Sequence, residues 1–108
     1  MKLIKKHVST TTKVELCSPI ESLARCYIRE NHGKQTVTMF RVYVPKALRG
    51  KGYGSKLLEQ VCDHYKDYNI RIGVSSSGPL SDKQLIEWYM RYDFILVTKK
   101  TMVRAKKS

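Results

Sequence analysis

The chain has 108 residues, 42% of them hydrophobic, and its 21 Lys and Arg outweigh 9 Asp and Glu to leave a formal charge of +12. That length allows one small domain spanning residues 1–108 with a modest core, and no apolar run is long enough to cross a membrane. A field so positive attracts polyanions such as nucleic acid or an acidic protein and repels cationic amines, although it equally describes a basic surface with no particular partner.

Met1 to Val8 reads as a first strand with basic edges, followed by a Ser-Thr-Thr-Thr turn and a second strand near Lys13 to Cys17. The opening Met-Lys-Leu-Ile-Lys-Lys-His lacks the apolar centre of a signal peptide, which points to the cytoplasm. After the break at Ser18-Pro19, Leu23, Arg25, Tyr27 and Arg29 alternate with Ala24, Cys26 and Ile28 as in a half-buried strand. Asn31-His32-Gly33 is a turn signal that folds the chain back, so the first third is a meander. Cys17, Cys26 and Cys62 are odd in number and sit among apolar residues, which suits buried reduced thiols better than disulfides. Cys62-Asp63-His64 supplies too few ligands for a tetrahedral metal site, so no metal is expected.

From Val37 to Tyr65 the sequence reads as strand, glycine loop and helix without interruption. Val37, Met39, Arg41 and Tyr43 alternate with Thr38, Phe40, Val42 and Val44, and Pro45 ends the run. Arg49-Gly50-Lys51-Gly52-Tyr53-Gly54 follows, and then Leu57, Leu58, Val61, Cys62 and Tyr65 recur at helical spacing along one face. Glycines opening a helix let the backbone approach a ligand, and the unpaired N–H groups and macrodipole of the first turn favour an anion such as a pyrophosphate. The loop lacks the Gly-Lys-Ser/Thr of a P-loop, and its third glycine falls one residue early for a dinucleotide fingerprint.

Next, Ile70 to Ser75 reads as a short buried strand, which makes a strand–helix–strand unit with two parallel neighbours. Ser75 to Pro79 is a flexible connection, and Ser81-Asp82-Lys83-Gln84 is a capping box opening a helix with Leu85, Trp88, Tyr89 and Tyr92 on one stripe. Phe94 to Val97 and Thr101 to Arg104 form a closing hairpin. An RNA-binding module would show aromatics interleaved with basic residues on an exposed sheet face, and the basic tail from Thr101 to Ser108 carries charge without that pattern.

The stretch from Val42 to Leu58, with RxxGxG directly after a strand ending Val-Pro, resembles the acetyl-CoA-binding motif of the GCN5-related N-acetyltransferases. Leu85 to Phe94 is similar to the late helix of that family, with Trp88-Tyr89 and Asp93-Phe94 at its marked positions. The resemblance implies a compact member of the acyl-CoA N-acyltransferase fold: α+β, with a mixed, mostly antiparallel sheet. The two helices that normally separate the first and second strands would be missing, which leaves an open cleft.

It also implies that Arg49, Gly50, Lys51, Gly52, Tyr53, Gly54 and Ser55 hold the cofactor's pyrophosphate, while Val42, Tyr43 and Val44 line its pantetheine arm. Tyr89 would be the general acid for the departing thiolate. The central strand carries no carboxylate, so no general base is assigned; Glu30 and His32 are the nearest titratable groups in sequence. Asp93 replaces a glycine in a left-handed position, and Asp82 stands where asparagine is common. The expected reaction is direct attack of an amine on acetyl-CoA, most naturally a lysine or N-terminal amine of a protein, and the cytoplasm would be that of a host if the chain is viral. The alternative is a basic binding module, with or without the cofactor, acting on nucleic acid or an acidic protein.

Overall fold

The structure, a computed structural model, describes residues 2–8, 11–17, 22–74 and 80–107. Its strands are β1 (Lys2–Val8), β2 (Thr11–Cys17), β3 (Ser22–Asn31), β4 (Thr36–Tyr43), β5 (Asn69–Gly73), β6 (Ile95–Thr98) and β7 (Thr101–Arg104). They form one seven-stranded sheet in the order β1-β2-β3-β4-β5-β7-β6. Two helices, α1 (Tyr53–His64) and α2 (Asp82–Met90), and a 3-10 turn at Lys46–Leu48 complete the described elements. The first four strands are an antiparallel meander, as the alternation implies, and β4 pairs with β5 in parallel across the α1 crossover.

The two-residue period decides which face is core. Val14 and Leu16 of β2, Ala24, Cys26 and Ile28 of β3, Val37 and Met39 of β4, and Ile70 and Ile72 of β5 are all buried. They meet Leu57, Leu58, Val61, Cys62 and Tyr65, the apolar stripe of α1. Alternate residues such as Lys13, Arg25, Tyr27 and Phe40 point to the opposite face of the sheet.

β1 and β2 are joined across residues 9 and 10, with Val8 paired to Thr11, so no helix intervenes between them. The Ser18-Pro19 break, the first half of the Ser-Thr-Thr-Thr turn and the connection from Ser75 to Pro79 fall outside the described residues, while Thr11 and Thr12 already belong to β2. Across the hairpin after β3 the left-handed residue is Gln35 (φ 49°), not Gly33. The closing hairpin forms, but its last strand enters the sheet first: β7 pairs with β5, and β6 lies outside it. Burial accompanies the order: Met102 of β7 is fully buried, whereas Ile95, Leu96 and Val97 of the edge strand β6 are exposed.

The capping box is complete. The Gln84 amide donates to Ser81 Oγ at 3.2 Å and the Ser81 amide donates to Gln84 Oε1 at 2.9 Å. At the other end of α2, Asp93 takes φ 70° and its neighbour Phe94 donates to Tyr89 O at 3.3 Å, so aspartate occupies the left-handed position without disturbing the helix end. Cys26 and Cys62 are buried free thiols, pushed up to about 12 and about 11 by desolvation, and Cys17 is half-buried. Such thiols are inert packing groups.

Candidate active site

The sheet opens where β4 and β5 part. Their parallel ladder stops at Met39 opposite Ile72, yet β4 runs on to Tyr43. Beyond it the Val74 amide donates to Lys100 O at 2.7 Å, which carries the chain away from β4. The last residues of β4 therefore keep β3 on one side and face a gap on the other. A bulge accompanies this: Tyr27 pairs with Phe40 and Arg25 with Tyr43, so two β4 residues, 41 and 42, oppose Cys26 alone. Bulges twist a strand and re-aim its backbone, and they concentrate beside active sites. No feature of the sequence marks it.

The chain then turns through Pro45, where Leu48 N donates to Pro45 O at 2.8 Å, and Arg49 reaches back to donate from Nε to Val44 O at 3.0 Å. Tyr43 carries two guanidinium groups on its ring, Arg25 at 4.6 Å and Arg49 at 5.8 Å from the centroid. These contacts tie the end of β4 to the start of the loop.

Gly50 (φ 81°) and Gly52 (φ 82°) both occupy the left-handed region, and a Cβ on either would meet no heavy atom within 4 Å. Gly52 is the N-cap of α1 and provides no side-chain cap, and the first helical bond runs from Lys56 N to Gly52 O at 3.0 Å. The amides of Tyr53, Gly54 and Ser55 are thus left without helical acceptors, no acidic residue occupies that first turn, and Lys51 and Arg49 are exposed beside it. This open cradle of donors and cations fits a pyrophosphate.

Gly54 serves a different purpose. A Cβ there would lie 3.3 Å from Val44 Cγ2 and 3.8 Å from the Trp88 ring, so its bareness lets α1 sit against β4 and α2. Ser55 Oγ accepts from Trp88 Nε1 at 3.0 Å, which leaves both the Ser55 amide and its hydroxyl proton free to donate to an anion.

Trp88 thus ties the start of α1 to α2, and Tyr89 follows directly. Its ring packs 5.0 Å from Trp88 and 5.7 Å from Phe94, and the residue is 4% exposed. Burial pushes its phenol above the usual tyrosine range, with a smaller contribution from Cys26, the residue opposite the β4 bulge. Tyr89 accordingly stays protonated throughout neutral pH. Asp82, at the start of α2, has Oδ1 buried with no hydrogen-bond partner among the described residues, while its Oδ2 lies 3.8 Å from Lys100 Nζ.

Glu30 and His32 belong elsewhere. Glu30 opposes Val37, six residues and about 20 Å of extended chain from Tyr43. It accepts from the Tyr65 hydroxyl at 2.8 Å and pairs with Lys5 at 3.5 Å and His32 at 3.2 Å, while His32 Nδ1 meets the Tyr68 hydroxyl at 2.9 Å. Proximity in sequence to β4 is misleading, because these groups clasp the hairpin end of the sheet to the C-terminal end of α1. Burial opposes ionisation of Glu30, but the Tyr65 hydrogen bond and the Lys5 and His32 charges prevail and hold its carboxyl below the usual range. Its stabilising effect is therefore present above about pH 4.5 and is lost as pH falls through the lower folded value. Tyr65→Phe should cost about 2 kcal/mol at pH 7, and the difference should shrink in urea melts taken below pH 4.

Shape alone would misplace the site. A cleft of about 370 Å³ lined by Cys62, Asp63, Tyr92 and Arg104 lies along the C-terminal half of α1, about 15 Å from Gly52. Among the described residues no group of three or more His, Cys, Asp or Glu side chains could hold a metal ion, and no helix is long and apolar enough to cross a membrane.

A sequence model of the GCN5-related N-acetyltransferases matches residues 19–77, which takes in β3, β4, the loop, α1 and β5. No curated protein gives a significant sequence match. Among solved structures, the chain is similar to the ribosomal-protein-S18-alanine N-acetyltransferase of Escherichia coli (15% identity, TM-score 0.77, 94% of this chain and 73% of that one). An acyl-CoA N-acyltransferase from Pseudomonas aeruginosa aligns at 23% identity and TM-score 0.71, over 91% of this chain and 70% of that one. Tetrahymena GCN5 aligns at 10% identity and TM-score 0.72, over 93% and 71%. At these identities the structures speak for the fold, and the sequence match covers the strand, loop and helix that carry the chemistry: the chain belongs to the GCN5-related N-acetyltransferases, enzymes that move an acyl group from acetyl-CoA to an amine.

Proposed function

We propose that the chain acetylates a lysine or N-terminal amine of a protein, in the cytoplasm. The observation that carries this reading is that only residues 9 and 10 join β1 to β2: no helix lies between these strands to wall the gap between β4 and β5 around a small substrate. The formal charge of +12 disfavours cationic small amines and favours an amine presented on an acidic surface. The fold shared with the S18-alanine N-acetyltransferase, whose name states a protein substrate, supports the same choice.

The geometry supports the following residue roles. The amides of residues 50 to 55, with Arg49 and Lys51, hold the pyrophosphate, and the backbone of Val42, Tyr43 and Val44, which β5 does not pair, aligns the arm. Acetyl-CoA supplies an activated acyl group on a thiol leaving group. A backbone N–H near Tyr43 polarises the carbonyl, a role that needs no side chain. Tyr89 holds its proton at neutral pH and gives a hydrogen bond to the sulfur as negative charge develops. β4 has no carboxylate, so the amine's proton leaves through water.

Labelled acetyl-CoA, offered with a lysine-containing acidic peptide and separately with spermidine, tests the reading. Faster transfer to the peptide is expected. Transfer to spermidine at an equal or higher rate would replace the protein acceptor with a small one.

A further inference from the structure

The face of the sheet opposite the helices has a composition of its own. α1 packs on β2 and β3 from the core side, and the register places facing residues of neighbouring strands on the same side. One row on the helix-free side reads Lys6, Lys13, Tyr27, Phe40 across β1 to β4. The next reads Arg29, Thr38, Arg71, Val103 across β3, β4, β5 and β7. Arg25 and Tyr43 form a third pair.

Tyr27 and Phe40 are stacked at 6.0 Å with 26° between their planes, and Arg29 lies 5.9 Å from the Phe40 centroid. Arg29, Arg71 and Lys6 are exposed, and the rings are half-exposed. The one carboxylate among these rows, Glu15 beside Arg25, is already paired with Lys13 at 3.2 Å. Aromatic rings and guanidinium groups thus alternate across a twisted sheet that no described helix covers.

We propose that this face binds single-stranded nucleic acid. Unpaired bases stack on aromatic side chains while cations beside them neutralise phosphates, and that is the pairing of groups found here. A duplex would leave the rings unused, and no described helix or ribbon projects from this face to enter a groove. A second copy of the chain would bring like charges together. An acidic polypeptide would satisfy the arginines but not the Tyr27–Phe40 stack. Tyr43 borders both this face and the cofactor arm, but Tyr27, Phe40, Arg29 and Arg71 belong to neither the loop nor the arm, so variants at these four positions test the face apart from the acceptor reading above.

Fluorescence anisotropy with a labelled ten-nucleotide strand, in RNA and DNA forms, against the duplex of the same sequence tests it. The single strand should bind at least about tenfold tighter than the duplex, and Tyr27→Leu with Phe40→Leu should weaken it about tenfold or more while leaving the salt slope unchanged. Arg29→Gln with Arg71→Gln, both at exposed positions and safe for folding, should reduce the slope of log K against log salt by about 1.4. Lys66→Gln with Lys83→Gln, on the helix side, should leave it unchanged. Equal affinity for strand and duplex, or equal slope changes from the two pairs of charge variants, would show attraction to net charge alone and overturn the proposal. So would binding of polyglutamate in preference to the strand.

Discussion

Gly52→Glu should raise the Kd for acetyl-CoA by about three orders of magnitude in calorimetric titration. The side chain would grow from a position with no heavy atom within 4 Å, into the space that the amides of Tyr53, Gly54 and Ser55 leave open. A carboxylate about 4 Å from a phosphate costs roughly 4 kcal/mol per charge pair at the effective dielectric of a protein surface. It would also be drawn to the same N–H groups and cap the helix itself. Because Gly52 sits at φ 82°, any side chain adds backbone strain of about 1 to 2 kcal/mol, and that affects folding as well as binding. Gly52→Asn separates the two effects, since asparagine tolerates the left-handed region and carries no charge; it should bind within about tenfold of the parent. Unchanged affinity in a folded Gly52→Glu protein would move the pyrophosphate away from this loop.

The loop and its helix were readable in sequence because their determinants are local. Positive φ at Gly50 and Gly52, the buried stripe from Leu57 to Tyr65 and the Ser81–Gln84 box each depend on residues within a turn or two, while the left-handed Asp93 is implied by the family resemblance. What escaped depends on register. The β4 bulge arises from how β4 meets β3, and nothing between Phe40 and Tyr43 announces an extra residue. The insertion of β7 between β5 and β6 is a choice between two similar apolar strands, and only the assembled sheet shows that Met102 is the one buried.

Glu30 is among the titratable groups nearest β4 along the chain, whereas the antiparallel register carries it to the hairpin end. The aromatic and basic rows of the helix-free face are scattered over residues 6 to 103 and assemble only across strands, which is why charge without pattern was all that a linear reading found. Gly54 illustrates an intermediate case: the glycine is visible, but its partners, Val44 and Trp88, come from β4's end and from α2.

Tyr89→Phe should lower kcat about 100-fold at saturating acetyl-CoA with little change in KM. The substitution keeps the ring that packs against Trp88 and Phe94 and removes the hydroxyl alone, so folding and loop geometry are preserved. The size of the loss follows from the direction of the pKa shift. Desolvation raises the phenol above its ordinary value near ~10, whereas a simple thiol lies near ~8.5, so complete proton transfer to the leaving thiolate runs uphill. Tyr89 therefore acts chiefly by hydrogen-bonding the charge that develops on sulfur, an interaction worth about 1.5–3 kcal/mol, which places the effect near the low end of general acid catalysis. The shift also fixes the pH behaviour. A phenol that keeps its proton beyond pH 10 contributes no alkaline limb between pH 6 and 9, so the parent and Tyr89→Phe rate profiles should run parallel there. If Tyr89→Phe turned over at the parent rate, the general acid would have to be sought elsewhere, and a variant whose profile lost an alkaline limb would show that the hydroxyl titrates in the active range despite its burial.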